Sequence, residues 1–146
     1  MKKSITLIAF LTALLFGCTT QEEILTGSCT KYVELNYSTY NSLPADPIVV
    51  KEAKISGDCL VVTLQYGGGC KEHQVDLALI QPECGTPPLP PPAFEIRHNA
   101  NGDACKALIT KEYSFDISGI KESGKSEITF TLSAKGSENK TLTYKY

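Results

Sequence analysis

Alternation of period two constrains this chain more than any other feature. Leu60, Val62, Leu64 and Tyr66 share one parity, and so do Val75, Leu77 and Leu79. The pattern returns in Phe94 and Ile96, in Tyr113, Phe115 and Ile117, in Ile128, Phe130 and Leu132, and in Leu142, Tyr144 and Tyr146. Successive side chains of a strand point to opposite faces, so such runs bury one face and leave the other to solvent. The runs are short and are separated by Gly, Pro, Asn and Ser. This spacing predicts strands over residues 31–38, 48–56, 60–66, 72–81, 93–98, 105–117, 126–134 and 140–146. The expected fold is an all-β, antiparallel β-sandwich of seven or eight strands, Ig-like or related. Gly57-Asp58, Gly67-Gly68-Gly69, Asn101-Gly102, Gly124 and Gly136-Ser137 supply the turns, with the triple glycine read as a hairpin. Residues 86–92, TPPLPPP, cannot donate to a ladder and are read as an extended connector between the two sheets.

The amino terminus does not follow this pattern. Lys2 and Lys3 precede an uncharged apolar run from Ile5 to Phe16. That run falls short of the about 20 residues a spanning helix needs and has the flanks of a secretory signal peptide. It ends in Leu15-Phe16-Gly17-Cys18, which resembles the lipobox of bacterial lipoproteins. The resemblance implies cleavage after residue 17, acylation of Cys18 and anchoring to a membrane through its lipid. Two or more acyl chains hold a protein stably where one is marginal. Position 19 is Thr rather than Asp, and Gln21-Glu22-Glu23 resembles the short acidic export signal of Bacteroidota surface lipoproteins. The expected organisation is a lipoprotein signal peptide over 1–17, a lipidated tether over 18–28 and one sandwich domain over 29–146. The expected location is the outer membrane, lipid-anchored and exposed at the cell surface.

Composition excludes some classes. Loss of Lys2 and Lys3, with no acid among residues 1–17, moves the formal charge from −2 to −4. No basic cluster exists, so nucleic acid is not an expected partner. No G-x-S-x-G elbow, H-E-x-x-H helix or phosphate loop occurs, and the paired acids Glu22 and Glu23 fall in the tether. The chain is therefore expected not to be an enzyme.

The chemistry-bearing residues gather in two words, GGGCKEH over 67–73 and HNANGDAC over 98–105, which hold both histidines of the chain. If the strand at 60 runs up to one pole, the next runs down and the strand at 93 runs up again, both words meet at that pole. Parity carries His73 and His98 on from the buried faces of their strands. Three readings follow. The first is structural: Cys70 and Cys105 form a disulfide across the pole, with His73, His98, Glu72 and Asp103 satisfying the turn and one another. Closing a loop of this length contributes about 3–4 kcal/mol. The second is a zinc or copper site. It draws on Cys70, His73, His98 and Cys105, or on His73, His98 and Asp103 above an intact disulfide. The third is a reactive Cys70 beside an imidazole, which the many cysteines of an exported chain argue against.

The same words, with Ser114-Phe115-Asp116-Ile117 after them, resemble a group of small uncharacterised Bacteroidota surface lipoproteins. The matching residues are Gly68, Gly69, Cys70, Glu72, His73, His98, Gly102, Asp103, Cys105, Phe115 and Asp116. The resemblance implies an extracytoplasmic β domain and no particular activity. With Cys18 acylated, five cysteines remain, and position favours Cys59–Cys84 for a second bond, with Cys29–Cys84 as runner-up. The functional expectation is a non-enzymatic, lipid-anchored interaction or accessory module, palmitoylated or similarly acylated, with a protein partner at the envelope and no cofactor. The alternative is a small metal-binding lipoprotein using His73 and His98.

Overall fold

The computed structural model describes residues 29–81 and 90–146. The signal peptide, Cys18, the tether and Cys84 lie outside the described residues. Those described form nine strands: β1 (Thr30–Lys31), β2 (Val33–Leu35), β3 (Val49–Ser56), β4 (Cys59–Gly68), β5 (Gln74–Ile80), β6 (Ala93–Asn99), β7 (Ala107–Asp116), β8 (Glu127–Ala134) and β9 (Lys140–Lys145). One sheet has the order β1-β7-β4-β3 and the other β2-β5-β6-β8-β9. The fold is the expected all-β sandwich. Leu60, Val62 and Leu64 of the first sheet pack with Leu77, Phe94, Ile96, Phe130, Leu132 and Tyr144 of the second, all essentially inaccessible to solvent. Each large apolar side chain so buried contributes about 1.5–3 kcal/mol.

Four details depart from the sequence reading. Residues 31–38 do not form one strand. The chain leaves β1 in one sheet and enters β2 in the other, and Tyr32 between them turns inward edge-on to Phe94, 5.4 Å between centroids. The triple glycine is not a hairpin. β4 and β5 belong to different sheets, so residues 69–73 cross from one sheet to the other. The proline-rich segment in turn joins β5 and β6, which are antiparallel neighbours in one sheet rather than members of two. Pairing is also mixed: β1/β7, β2/β5 and β6/β8 run parallel, and the remaining four pairings are antiparallel.

The expected Cys59–Cys84 bond is overturned, as is its runner-up. Cys59 is bonded to Cys29, with Cα atoms 5.9 Å apart. The bond ties the residue just before β1, the edge strand beside β7, to the first residue of β4 on the other side of β7. Peptide mapping under non-reducing conditions should recover a Cys29–Cys59 peptide. A peptide joining Cys84 to either partner would contradict the fold at this end. Cys59→Ser should cost about 2–5 kcal/mol in a denaturant melt.

Candidate functional site

β4 ends at Gly68, and the chain then crosses to β5. β6 ends at Asn99, and the chain crosses back to β7. The two crossovers run side by side at one pole because Gly68 pairs with Ala107 and Gln74 pairs with Asn99. The pole thus brings GGGCKEH and HNANGDAC together. Cys70 and Cys105 are joined in a disulfide with Cα atoms 5.8 Å apart.

Asp103 organises what surrounds the bond. Its Oδ2 accepts the backbone N–H groups of Gly69, Cys70 and Lys71 at 2.9, 2.8 and 2.9 Å. Its Oδ1 accepts the N–H of Cys105 at 2.9 Å. Three consecutive amides converging on one oxygen form a nest of the kind that binds free anions; here a carboxylate of the same chain fills it. The Asp103 side chain is fully covered. The amides of Cys105 and Lys71 do most to hold its carboxyl well below the usual carboxylate range, against the opposing effect of burial; Cys70 and His73 add to them. Lys71 then reaches across and donates from Nζ to the carbonyls of Asn101 and Gly102 at 3.0 and 3.1 Å.

The histidines complete the cluster. His73 Nε2 lies 3.3 Å from Asp103 Oδ2, and His73 Nδ1 lies 2.9 Å from His98 Nε2. An ionised Asp103 requires His73 to donate from Nε2. His73 Nδ1 is then an acceptor, and His98 donates to it from Nε2. Tyr66 stacks on His73 with centroids 4.8 Å apart and lies 5.0 Å from His98. His98 is 1 % exposed. Burial, and then the neighbouring His73, push its pKa below the ordinary 6.5, although the Pro47 and Asp46 backbone and the Asp46 carboxylate oppose this.

The glycines have separate reasons. A Cβ on Gly68 would stand 2.6 Å from His73 Nε2 and 3.1 Å from Asp103 Oδ2, so no other residue fits beneath the ring. Gly69 takes φ +114°, which L side chains rarely adopt, and so aims its amide and the next two at Asp103.

These distances show what the site can do. The metal-donor atoms of Cys70, Asp103 and Cys105 lie close together, but the two sulfurs are bonded to each other and both Asp103 oxygens hold N–H donors. Tetrahedral zinc would hold two imidazole nitrogens about 3.3 Å apart, whereas these face each other at hydrogen-bond distance. The arrangement is a hydrogen-bonded clasp, which Tyr66 and Lys71 enter without having been singled out in the sequence. Tyr66 carries the parity of Leu64 and is legible on that ground; the reach of Lys71 left no signal. Glu72 is exposed and is not among the residues holding the turn.

Two packed sheets with their crossovers clasped at one pole define a disulfide-bonded β-sandwich domain. The chain belongs to the NigD-like family: residues 31–146 match the NigD-like C-terminal beta sandwich domain. Its fold is similar to that of a protein of unknown function (DUF1344) from Bacteroides vulgatus ATCC 8482, with a TM-score of 0.60 and 21 % identity over 81 % of this chain and 56 % of that one. It is also similar to a NigD-like immunity protein from Bacteroides caccae ATCC 43185, with a TM-score of 0.58 and 14 % identity over 80 % of this chain and 64 % of that one. The chain thus spans less than two thirds of either solved chain. No curated protein matches it.

Three measurements test the clasp. Cys70→Ser and Cys105→Ser should each cost about 2–5 kcal/mol. The double variant should cost little more than either, because one cross-link is lost in all three. Gly68→Ala should cost about 1–3 kcal/mol by overpacking against His73. Stability should fall with acid in two windows. The first opens as pH drops below 6.5, where the unfolded chain protonates at residue 98 and the buried imidazole does not. The second opens below about 3.8, where the unfolded chain protonates at residue 103 and the folded carboxylate still resists. Urea melts across this range should show both declines, and Asp103→Asn should shrink the second, the remainder coming from Asp58 and Asp116, whose carboxyls the bonds from Tyr144 and Ser118 also hold low. A flat profile between pH 7 and 5 would contradict the placement of His98.

Proposed function

We propose that the protein is a lipid-anchored envelope lipoprotein that acts without catalysis, as an accessory of the immunity type, by binding a protein partner at the outer membrane or cell surface. The observation that carries the non-catalytic part of this reading is the engagement of the clasp: the disulfide, the carboxylate and the imidazoles at the pole are bonded in ways that hold the two crossovers together. Family membership and the immunity protein with the same fold support it. The two disulfides suit an oxidising compartment, where such bonds persist. Acylation at Cys18 supplies the anchor, and Glu22 and Glu23 supply the surface-export signal.

Cys18→Ala should move the protein out of the membrane fraction, with loss of acyl label. An uncleaved, still membrane-bound variant would mean that residues 5–16 themselves form the anchor. Glu22→Ala with Glu23→Ala should keep the lipid and reduce cleavage by external protease. A Bacteroidales strain lacking the gene should become sensitive to an antibacterial toxin from a neighbouring strain. The wild-type gene should restore protection and Cys18→Ala should not. Stoichiometric zinc or copper in the purified protein, lost with His73→Ala and His98→Ala, would overturn the non-metal reading in favour of the metal-binding alternative.

A further inference from the structure

A second feature lies at the opposite end of the sandwich and takes no part in the clasp. β2 ends at Leu35 beside Ile80, where β5 runs out away from the pole. The chain then makes a tight polar loop and a 3-10 turn over Tyr40–Ser42. None of the residues of that turn is buried, so core packing does not explain its order. It is held instead by local bonds. Asn36 Oδ1 accepts the N–H groups of Ser38 and Thr39 at 3.0 and 3.1 Å, and Thr39 Oγ1 accepts the N–H of Asn36 at 3.0 Å. Tyr40 is fixed from below: its hydroxyl donates to Glu95 at 2.8 Å, and the Arg97 guanidinium lies 4.2 Å from its ring centroid. Arg97 is 3 % exposed on the outward parity of β6, a costly place for a charge, where it serves as the seat of an aromatic ring.

This loop and the end of β5 enclose an open cleft of about 490 Å³, within the roughly 300–1,000 Å³ of small-molecule sites. Tyr37 and Tyr40 present aromatic surface to it, Tyr37 with 83 % of its area exposed. Asn36, Asn41 and Gln81 supply amides, Ile80 supplies the apolar contact, and no lining residue is charged. A ligand suited to this lining needs an apolar face for tyrosine and neighbouring neutral groups that both donate and accept, because the Asn41 and Gln81 amides do both while Asn36, its Oδ1 held within the loop, offers only its N–H donors. A pyranose ring has both: C–H bonds on one face and vicinal hydroxyls at its rim. An anionic ligand would find no cation in the lining.

We propose that this cleft binds a neutral saccharide, with Tyr37 stacked on a sugar ring and Asn36, Asn41 and Gln81 hydrogen-bonded to its hydroxyls. The site is independent of the immunity reading, and either can fail without the other. The test uses the purified full-length protein in detergent, titrated by calorimetry with maltotriose, cellotriose, xylotriose, galactobiose and N,N′-diacetylchitobiose. Because the chain has no tryptophan, tyrosine emission gives a second readout. At least one of these sugars should bind with Kd of about 1 mM or tighter. Tyr37→Ala and Asn41→Ala should each weaken it about tenfold with an unchanged melting temperature, since Tyr37 is exposed. Thr110→Ala, on β7 and outside the cleft, should bind as wild type does. No binding across the five sugars, equal binding by the Tyr37 and Asn41 variants, or binding restricted to phosphorylated sugars added as a control would overturn the proposal.

Discussion

The pole of the sandwich depends on one carboxylate. Asp103 comes from the crossover between β6 and β7, and the amides it gathers come from the crossover between β4 and β5. Without it, three adjacent N–H groups would converge with no acceptor from the chain to draw them together. The histidines depend on it too, since an ionised Asp103 sets the direction of the hydrogen bonds that pass through His73 to His98. The disulfide acts at the same junction by a different route. Loss of chain entropy in the unfolded state accounts for much of what a cross-link contributes, whereas the carboxylate acts only in the folded one. Together they make a junction between two sheets that neither the core nor the ladders reach.

Much of the fold was legible because alternation reports which way each side chain faces. His73 and His98 were placed at the buried rim by parity alone, and the structure finds them there. Alternation does not report which strand lies next door. The triple glycine shows the difficulty: a tight hairpin and a crossover between sheets both call for glycine, so the residues looked the same either way. Tyr32 shows another: its parity continues through a point at which the chain changes sheets. Cys29–Cys59 was hidden because Cys29 adjoins a two-residue strand, too short to leave any periodicity. Arg97 has the parity of a solvated face, and only the loop folding back over it, with Tyr40 against the guanidinium, accounts for its burial.

The two ends of the molecule are therefore unlike. At the pole, the polar side chains bond mainly to one another or to the backbone, and the result is rigidity. At the far end, a preordered loop leaves amides and an aromatic ring facing outward. Preorganisation of exposed polar groups is what lowers the cost of binding, since a ligand need not then order the loop itself.

The lipid anchor proposed for Cys18 gives the far end a further role. Any pull on the domain through the tether arrives first at Cys29. β1 alone is two residues long and would resist poorly, since few hydrogen bonds hold it. The bond to Cys59 passes the load to β4, a ten-residue strand with β3 on one side and β7 on the other. The same geometry sets the end at which the chain enters the domain. β5 and β7 both run away from the clasped pole, so Cys29 and the loop of Tyr37 and Tyr40 belong to the opposite end. With the anchor proposed at Cys18, the tether would enter the domain at the end that carries the aromatic cleft, and the clasp lies at the other end.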